Sequence, residues 1–255
     1  MKIYFDNKLA KAYSSISQKV RVLSEAWVDN EVFCPACGYD IKHFENNKPV
    51  ADFFCLNCKE EYELKSKKDS FGSKIVNGAY KTMIERLRSN NNPNFLLLNY
   101  SPIGLEVLNF FVIPKHFFTP QIIEKRKPLS RLARRAGWVG CNISLQNIPQ
   151  TGKIFYVQNK QVESKDKVLR SWKKTLFLRE EKEATTKGWT LDIMNCIDRL
   201  GKTKFSLDEI YAFAKFLGEK HPNNKHIKDK IRQQIQFLRD KGYLDFVTRA
   251  MYRIN

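Results

Sequence analysis

Two Cys-x-x-Cys pairs constrain the fold of this chain more than any other feature of its sequence. They are Cys34-Pro-Ala-Cys37 and Cys55-Leu-Asn-Cys58. Residues 38–54 separate the two pairs, a spacing that is typical of a four-cysteine zinc site. Because four thiolates complete the tetrahedral shell of Zn²⁺, no position stays open for a substrate. We therefore predict a structural zinc centre, in preference to redox-active dithiols or ordinary buried cysteines.

A pattern of acidic residues and lysine surrounds the second cysteine pair. Residues 49–52, Pro-Val-Ala-Asp, precede it, and residues 63–65, Glu-Leu-Lys, follow it. If the two flanks are the arms of a hairpin, Asp52 and Glu63 lie on adjacent strands. Glu63 and Lys65, two residues apart, then point to the same face. The alternative is a solvated, salt-bridged strand, since acidic residues and lysines are common.

This grouping suits phosphodiester hydrolysis, which needs a hard cation and oxygen ligands to hold it. We predict that Asp52, Glu63 and the carbonyl of Leu64 bind a catalytic Mg²⁺. Lys65 is expected to lower the pKa of the attacking water or to contact the phosphate. Asp52…Glu63-x-Lys65 is the PD-(D/E)xK nuclease pattern.

The charge balance favours a polyanionic partner. The chain has 45 Lys and Arg against 27 Asp and Glu, and its formal net charge is +18. Each neutralised phosphate releases condensed counterions, so nucleic acid is the leading partner. An anionic membrane surface, or a basic profile that serves only solubility, is the alternative.

The compartment is predicted from what the sequence lacks. The N-terminal residues MKIYFDNKLA have no apolar core of a signal peptide, and no run approaches the roughly 18 apolar residues of a membrane span. We expect a cytoplasmic, monomeric protein without a membrane partner, in which cysteines bind metal rather than form disulfides. Cys141 and Cys196 have no partner motif, and we predict that they lie in the core.

The apolar pattern of residues 1–180 predicts an α/β or α+β domain. Helical spacing indicates helices at residues 17–30 and 77–90. Short strands are expected around the cysteines, and apolar runs predict three further strands, at residues 94–100, 106–114 and 153–158. Residues 124–142 are interpreted as a basic, loop-rich insertion.

Residues 181–255 have the pattern of a second domain, after a polar stretch at residues 180–188 that we interpret as a linker. Leu191, Met194, Ile197 and Leu200 mark one helix, and Ser206 and Glu209 have the spacing of a capping box before a second. A third helix is predicted at residues 226–242, and the last residues suggest a hairpin.

Three helices and a terminal hairpin are typical of a winged helix. We expect the third helix to enter the major groove of DNA through its polar face, which carries Lys228, Arg232, Gln233, Gln236 and, near its end, Arg239. Arg249, in the wing, is predicted to contact a phosphate. The alternative is a helical accessory domain whose charged face is only solvated.

Several motifs spread along the chain also carry a family resemblance. They are CPACG, HFENNKPVADFFCLNC, EYELKSKK, NNPNF, RRAGWVGCN, GWT, NCID and HIKDKIRQQ. In these the chain resembles the DpnI-like, methyl-directed (type IIM) restriction endonucleases of the PD-(D/E)xK superfamily over nearly its whole length. The resemblance implies an α+β nuclease core with a four-cysteine zinc insertion, followed by a winged helix. It also implies blunt cleavage of double-stranded DNA at GATC sites that carry N6-methyladenine, with both domains reading methylated DNA.

Reading a methyl group requires an apolar surface in the major groove, because a methyl cannot hydrogen-bond. We predict that Trp138 contacts the methyl groups while Arg134 and Arg135 hold phosphates; a core tryptophan is the alternative. Trp189 is interpreted as a packing anchor. Glu25, on the first helix, is a weaker candidate for the metal site.

Two other functions compete with a methyl-directed endonuclease. One is a zinc-containing winged-helix regulator with an inert acidic patch and no nuclease activity. The other is a repair or RNA nuclease with the same catalytic core and a different substrate.

Overall fold

A computed structural model describes residues 1–44, 51–89, 91–181 and 183–255 of the protein. The chain forms two compact units, Met1–Leu145 with Thr151–Thr175, and Gln146–Gln150 with Leu176–Asn255. The predicted boundary between residues 180 and 181 stays a prediction. Pro49 and Val50, which open the predicted nuclease motif, lie outside the described residues.

The first unit is mixed α+β. In chain order its regular elements are α1 (Ile16–Glu31), β1 (Ile41–His43), β2 (Phe53–Cys55), β3 (Glu61–Lys68), β4 (Lys74–Ala79), α2 (Tyr80–Arg88), β5 (Asn94–Ser101), β6 (Glu106–Ile113), β7 (Ile123–Lys125), β8 (Gly140–Ser144), β9 (Ile154–Gln158), β10 (Gln161–Val162) and α3 (Lys165–Lys173). The predicted first helix and the three predicted apolar strands are confirmed.

A seven-stranded sheet with the order β1-β2-β3-β5-β6-β9-β10 forms the centre of this unit. Strand β3 pairs with β5 in parallel, and the remaining neighbours pair antiparallel. A parallel pair needs a long crossover, which here contains α2. The side chains of β5 are buried from Asn94 to Tyr100, which is why the apolar run NFLLLNY shows no alternation. Helix α1 packs on the sheet through Trp27, whose ring lies edge-on to that of Phe110 with 5.0 Å between the ring centroids.

A second, three-stranded sheet in this unit was not predicted. Its order is β4-β8-β7. The predicted helix at residues 77–90 is therefore wrong at its start, because residues 77–79 belong to β4 and the helix begins at Tyr80. Gly78 disfavours a helix, and β4 gains an antiparallel partner in β8. The insertion predicted at residues 124–142 is likewise not all loop, because it begins within β7 and ends within β8.

The second unit has the helices and hairpin of a winged helix. Its elements are α4 (Phe177–Glu180), α5 (Ala184–Arg199), β11 (Lys204–Ser206), α6 (Leu207–Tyr211), α7 (Ala214–Lys220), α8 (Ile227–Asp240), β12 (Leu244–Thr248) and β13 (Met251–Ile254). The strands form a sheet in the order β11-β13-β12. Ser206 and Glu209 make both hydrogen bonds of the predicted capping box.

Two predictions for the second unit are corrected. The linker predicted at residues 180–188 is mostly helix, because α5 already begins at Ala184. Its first turn follows Glu183, whose carboxylate accepts hydrogen bonds from Thr185 and Thr186. That turn is polar, so apolar spacing could not reveal it. The second predicted helix is divided into α6 and α7, with Phe213 between them.

In the described part of the chain, no helix has the length and the apolar character that crossing a bilayer requires.

Candidate active site and zinc centre

The four cysteines of the predicted zinc site lie together at the tip of the β2–β3 hairpin. Their sulfur atoms all lie within 4.8 Å of one another, and the Sγ–Sγ distances of Cys34–Cys58 and Cys37–Cys55 are both 3.4 Å. Tetrahedral zinc with Zn–S bonds of about 2.3 Å requires sulfurs roughly 3.8 Å apart. The cluster therefore has the dimensions of a four-thiolate site and could hold Zn²⁺.

Local turns present these sulfurs. In the first pair, the amide of Gly38 donates to the carbonyl of Cys34 over 2.8 Å, and Gly38 has a φ of 79°. In the second pair, the amide of Lys59 donates to the carbonyl of Cys55 over 3.1 Å, and Lys59 has a φ of 62°. Both turns therefore enter the left-handed region directly after the last cysteine of the pair, where glycine is favoured.

Burial affects the ionisation of these thiols. It raises the pKa of Cys34, and it raises that of Cys58 to about 11. Burial also acts upward on Cys37, but hydrogen bonds from the Tyr39 backbone and from Asn57 outweigh it and lower the pKa to about 7. Cys34 and Cys58 are thus protonated at neutral pH without a cation, and zinc binding must release their protons.

Asp52 is attached to strand β3 from two sides. Its amide donates to the carbonyl of Tyr62 over 2.8 Å, and its Oδ2 accepts a hydrogen bond from the amide of Leu64 over 2.7 Å. The antiparallel register Phe53↔Tyr62 continues this arrangement along the hairpin. The hairpin prediction is confirmed, although Asp52 lies directly before β2 rather than on that strand.

Glu63 and Lys65 share one face of β3, as their spacing predicts. Lys65 Nζ lies 2.5 Å from Glu63 Oε1, and both side chains are mostly buried. Asp52, Glu63 and Lys65 line one cavity of about 890 Å³. Two carboxylates and the neighbouring carbonyl of Leu64 are the oxygen donors that Mg²⁺ prefers, so these residues could hold such a cation.

Helices α1 and α2 add charged side chains to the same cavity. Glu25 and Arg21 line it from α1 and form an ion pair at 2.7 Å, and Arg86 lines it from α2. The hydrogen bond to Glu25 raises the pKa of Arg21. Burial lowers the pKa of Arg86, and the negative charge of Glu63 opposes that shift.

Sequence reasoning missed Arg21 and Arg86. A signal for Arg86 existed, because Thr82, Met83 and Arg86 recur at helical spacing and all three line the cavity. The weak candidate Glu25 does line the cavity with Asp52.

The small sheet forms another wall of this cavity. Asn77 and Ala79 of β4 line the cavity, and they pair with Cys141 and Gly140 of β8. Cys141 is buried, as predicted. Burial raises its pKa, the positive charges of Lys65 and Arg126 oppose that shift, and the negative charge of Glu63 adds to it.

The predicted methyl-reading residue, Trp138, lies in the loop that joins β7 to β8. Backbone hydrogen bonds close the base of this loop, from Arg126 to Gly140 at 3.0 Å and from Leu129 to Trp138 at 2.9 Å. Trp138 is half-buried, because its ring lies against Gly140, where an added Cβ would approach the ring to 2.8 Å. Arg134 and Arg135 are exposed.

The predicted DNA-reading side chains of the second unit are exposed. On α8 these are Lys228, Arg232, Gln233 and Gln236, and Arg249 is exposed in the turn between β12 and β13. The opposite face of α8 packs Ile231, Ile235 and Leu238 into the core. Trp189 is a packing anchor, as predicted, with its ring stacked 3.8 Å from that of His221. Cys196 is buried, also as predicted.

Two protein-family models match the chain. The model described as DpnI: Dam-replacing family matches residues 1–181. The model described as Dam-replacing HTH domain matches residues 185–254. Together they cover both units, and the second identifies the C-terminal unit as a helix-turn-helix domain.

The geometry of the sulfur cluster predicts one zinc per chain. Denaturing the purified protein should release about one equivalent to a chromophoric chelator. Cys55→Ser should release far less zinc, because the substitution removes one of the four thiolates that complete the tetrahedral site. Cys141→Ser, which changes a buried cysteine outside the cluster, should release the same amount as the wild type. Full zinc retention in Cys55→Ser would contradict the assignment.

Proposed function

The chain belongs to the Dam-replacing (DpnI) family, which implies a methylation-directed restriction endonuclease, and we propose that it hydrolyses double-stranded DNA at GATC sites containing N6-methyladenine with the help of Mg²⁺. The observation that carries the proposal is the cavity that Asp52, Glu63 and Lys65 share. A solvated, salt-bridged strand would expose these groups, whereas here the Glu63 and Lys65 side chains are only 17% and 25% exposed.

Asp52 and Glu63 are proposed to hold the divalent cation, with the carbonyl of Leu64 as a third donor. Bound there, the cation would offset the charge that accumulates on the phosphate and would promote loss of a proton from the attacking water. The hydrogen bond from the Leu64 amide keeps the Asp52 carboxylate in one orientation. No side chain needs to form a covalent bond to DNA in this scheme.

Lys65 is proposed to contact the scissile phosphate or the attacking water. Its ammonium group already lies against Glu63. An ammonium fixed at this point stabilises negative charge as it develops, without moving during the reaction. Arg86, in the same cavity, adds a second positive charge and is proposed to neutralise a phosphate oxygen.

Trp138 is proposed to contact the methyl groups of the site. Because Gly140 has no Cβ, the indole ring can lie close against it, and part of the ring stays accessible. The loop carries Arg134 and Arg135, which are proposed to hold phosphates beside the groove. An indole face offers the apolar surface that a methyl group requires.

Helix α8 is proposed to read DNA a second time. Its apolar side is packed in the core, which leaves Lys228, Arg232, Gln233 and Gln236 available to a major groove. Arg249 in the wing is proposed to contact a phosphate.

Plasmid cleavage tests the proposed activity. With Mg²⁺, the protein should cut plasmid from an adenine-methylating host and leave plasmid from a non-methylating host intact. Asp52→Asn should lower the rate at least about 100-fold, because charge stabilisation by the cation is worth several kcal/mol and each 1.4 kcal/mol is tenfold. Intact methylated plasmid would instead favour a regulator without nuclease activity. Sequenced cut ends away from GATC would favour a repair nuclease.

Trp138→Ala should weaken discrimination between methylated and unmethylated duplexes. One methyl group in an apolar contact is worth roughly tenfold or more in rate. The measurement is kcat/KM on matched duplexes that differ only in methylation. Trp138→Phe is the control, because it keeps an aromatic face. Unchanged discrimination in Trp138→Ala would argue for a core tryptophan.

Arg232→Ala should weaken binding to methylated duplex, measured without divalent cations so that no cleavage occurs. If Arg232 reads a base edge, affinity should fall by about 1–3 kcal/mol; if it neutralises a phosphate, the slope of log K against log salt should fall by about one. Arg239→Ala is the control, because Arg239 lies near the end of the same helix and is ion-paired with Asp240. Equal effects of both variants would contradict a specific contact of Arg232.

A further inference from the structure

Tyr62 connects the sulfur cluster to the strand that carries Glu63. It lies on β3 directly before Glu63, and its side chain is completely buried. Its hydroxyl oxygen lies 3.0 Å from Cys34 Sγ. No other tyrosine hydroxyl is seen to contact a sulfur of the cluster in the described part of the chain.

The chemistry fixes the direction of this hydrogen bond once zinc is bound. A cysteine that ligates zinc is a thiolate, which has no proton to give. The tyrosine hydroxyl must therefore donate and the sulfur accept.

The backbone of the same residue holds Asp52. The carbonyl of Tyr62 accepts the 2.8 Å hydrogen bond from the Asp52 amide, and the amide of Leu64, two residues on, donates to the Asp52 carboxylate. One residue thus contacts the sulfur cluster through its side chain and Asp52 through its main chain.

We propose that Tyr62 is a positioning residue: its hydroxyl holds the Cys34 sulfur of the zinc centre, so that the zinc centre fixes the segment of β3 that carries Glu63 and hydrogen-bonds to Asp52. The first half of this inference concerns zinc retention alone. The second half rests on the proposed nuclease function, because it predicts an effect on the Mg²⁺ that Asp52 and Glu63 would bind. Groups outside the ligand set that hydrogen-bond to a ligand commonly change metal affinity about 10–100-fold.

Tyr62→Phe tests the inference and has a matched control in Tyr156→Phe. Tyr156 is also fully buried, and its hydroxyl donates to the carbonyl of Phe33 over 2.8 Å, which is a backbone oxygen rather than a sulfur. Each substitution removes one buried hydrogen bond and leaves the ring in place, so the losses of stability should be similar. Phe33 directly precedes Cys34, so Tyr156→Phe controls for the loss of a buried hydrogen bond beside the cluster, and only Tyr62→Phe removes a contact with a cluster sulfur.

The first readout is zinc affinity, measured by competition with a chelator, together with the absorption spectrum of the Co²⁺-substituted protein. Tyr62→Phe should bind zinc about tenfold more weakly and shift the sulfur-to-cobalt bands, whereas Tyr156→Phe should match the wild type. The second readout is the Mg²⁺ concentration for half-maximal cleavage of methylated DNA. It should rise severalfold in Tyr62→Phe alone, because a looser hairpin must be ordered before its carboxylates share a cation.

Hydrogen exchange of the wild type provides a measurement that needs no variant. Removing zinc should speed exchange of the Asp52 and Leu64 amides, which make the two hydrogen bonds described above, more than exchange of Leu97 in the centre of the sheet. An equal increase in exchange rate at all three amides would overturn the inference, even if Tyr62→Phe failed to fold.

The outcomes separate this inference from the proposed function. Unchanged zinc affinity in Tyr62→Phe, or equal loss in both variants, overturns the link to the zinc centre. Weaker zinc binding with an unchanged Mg²⁺ requirement overturns the positioning role. An inactive wild type on methylated DNA contradicts the proposed function, and the affinity and exchange measurements then still decide the zinc half.

Discussion

The arrangement of the candidate site depends on the register of the hairpin formed by β2 and β3. Side chains alternate along a strand, so a slip of one residue would turn Glu63 and Lys65 to the other face of the sheet. A two-strand hairpin alone does not hold its register firmly in water. Here the cysteine pairs lie at its tip, and the two hydrogen bonds between Asp52 and β3 lie at its open end. The parallel pairing of β3 with the buried strand β5 fixes the hairpin to the core.

The charges in the cavity are paired in a way that suits a cation and a phosphate. Glu63 lies against Lys65, and Glu25 lies against Arg21, so these two glutamates each have a cationic neighbour. Asp52 instead accepts a hydrogen bond from a backbone amide. Buried carboxylates need such partners, because desolvating an unpaired charge is costly. A phosphate would bring further negative charge into this space, and a divalent cation between the carboxylates would offset it.

The sequence was sufficient to predict the parts of the fold that depend on local pattern. The cysteine spacing, the Asp52–Glu63–Lys65 grouping, the apolar strands and the Ser206 capping box all follow from residues close in the chain. Strands β4, β7 and β8 were missed, because β4 and β8 are stable only through pairing between residues far apart in the chain, as in Val76↔Asn142. Arg21 and Arg86 were missed for a related reason, since the tertiary fold alone brings α1 and α2 to one cavity. The first turn of α5 was read as a linker because its residues are polar.

The small sheet gives the proposed reading and cutting steps a common physical basis. Strand β4 contributes Asn77 and Ala79 to the cavity wall, and their partners on β8 follow Trp138 closely in the chain. The Trp138 loop therefore runs directly into the strand pair that lines the cavity beside Asp52 and Glu63. Gly140 links the two directly, because it is the first residue of β8 and the indole ring of Trp138 lies against it. Under the proposed function, poor contact between the loop and the methyl groups would act on the cavity wall through β8 and β4, in addition to weakening binding.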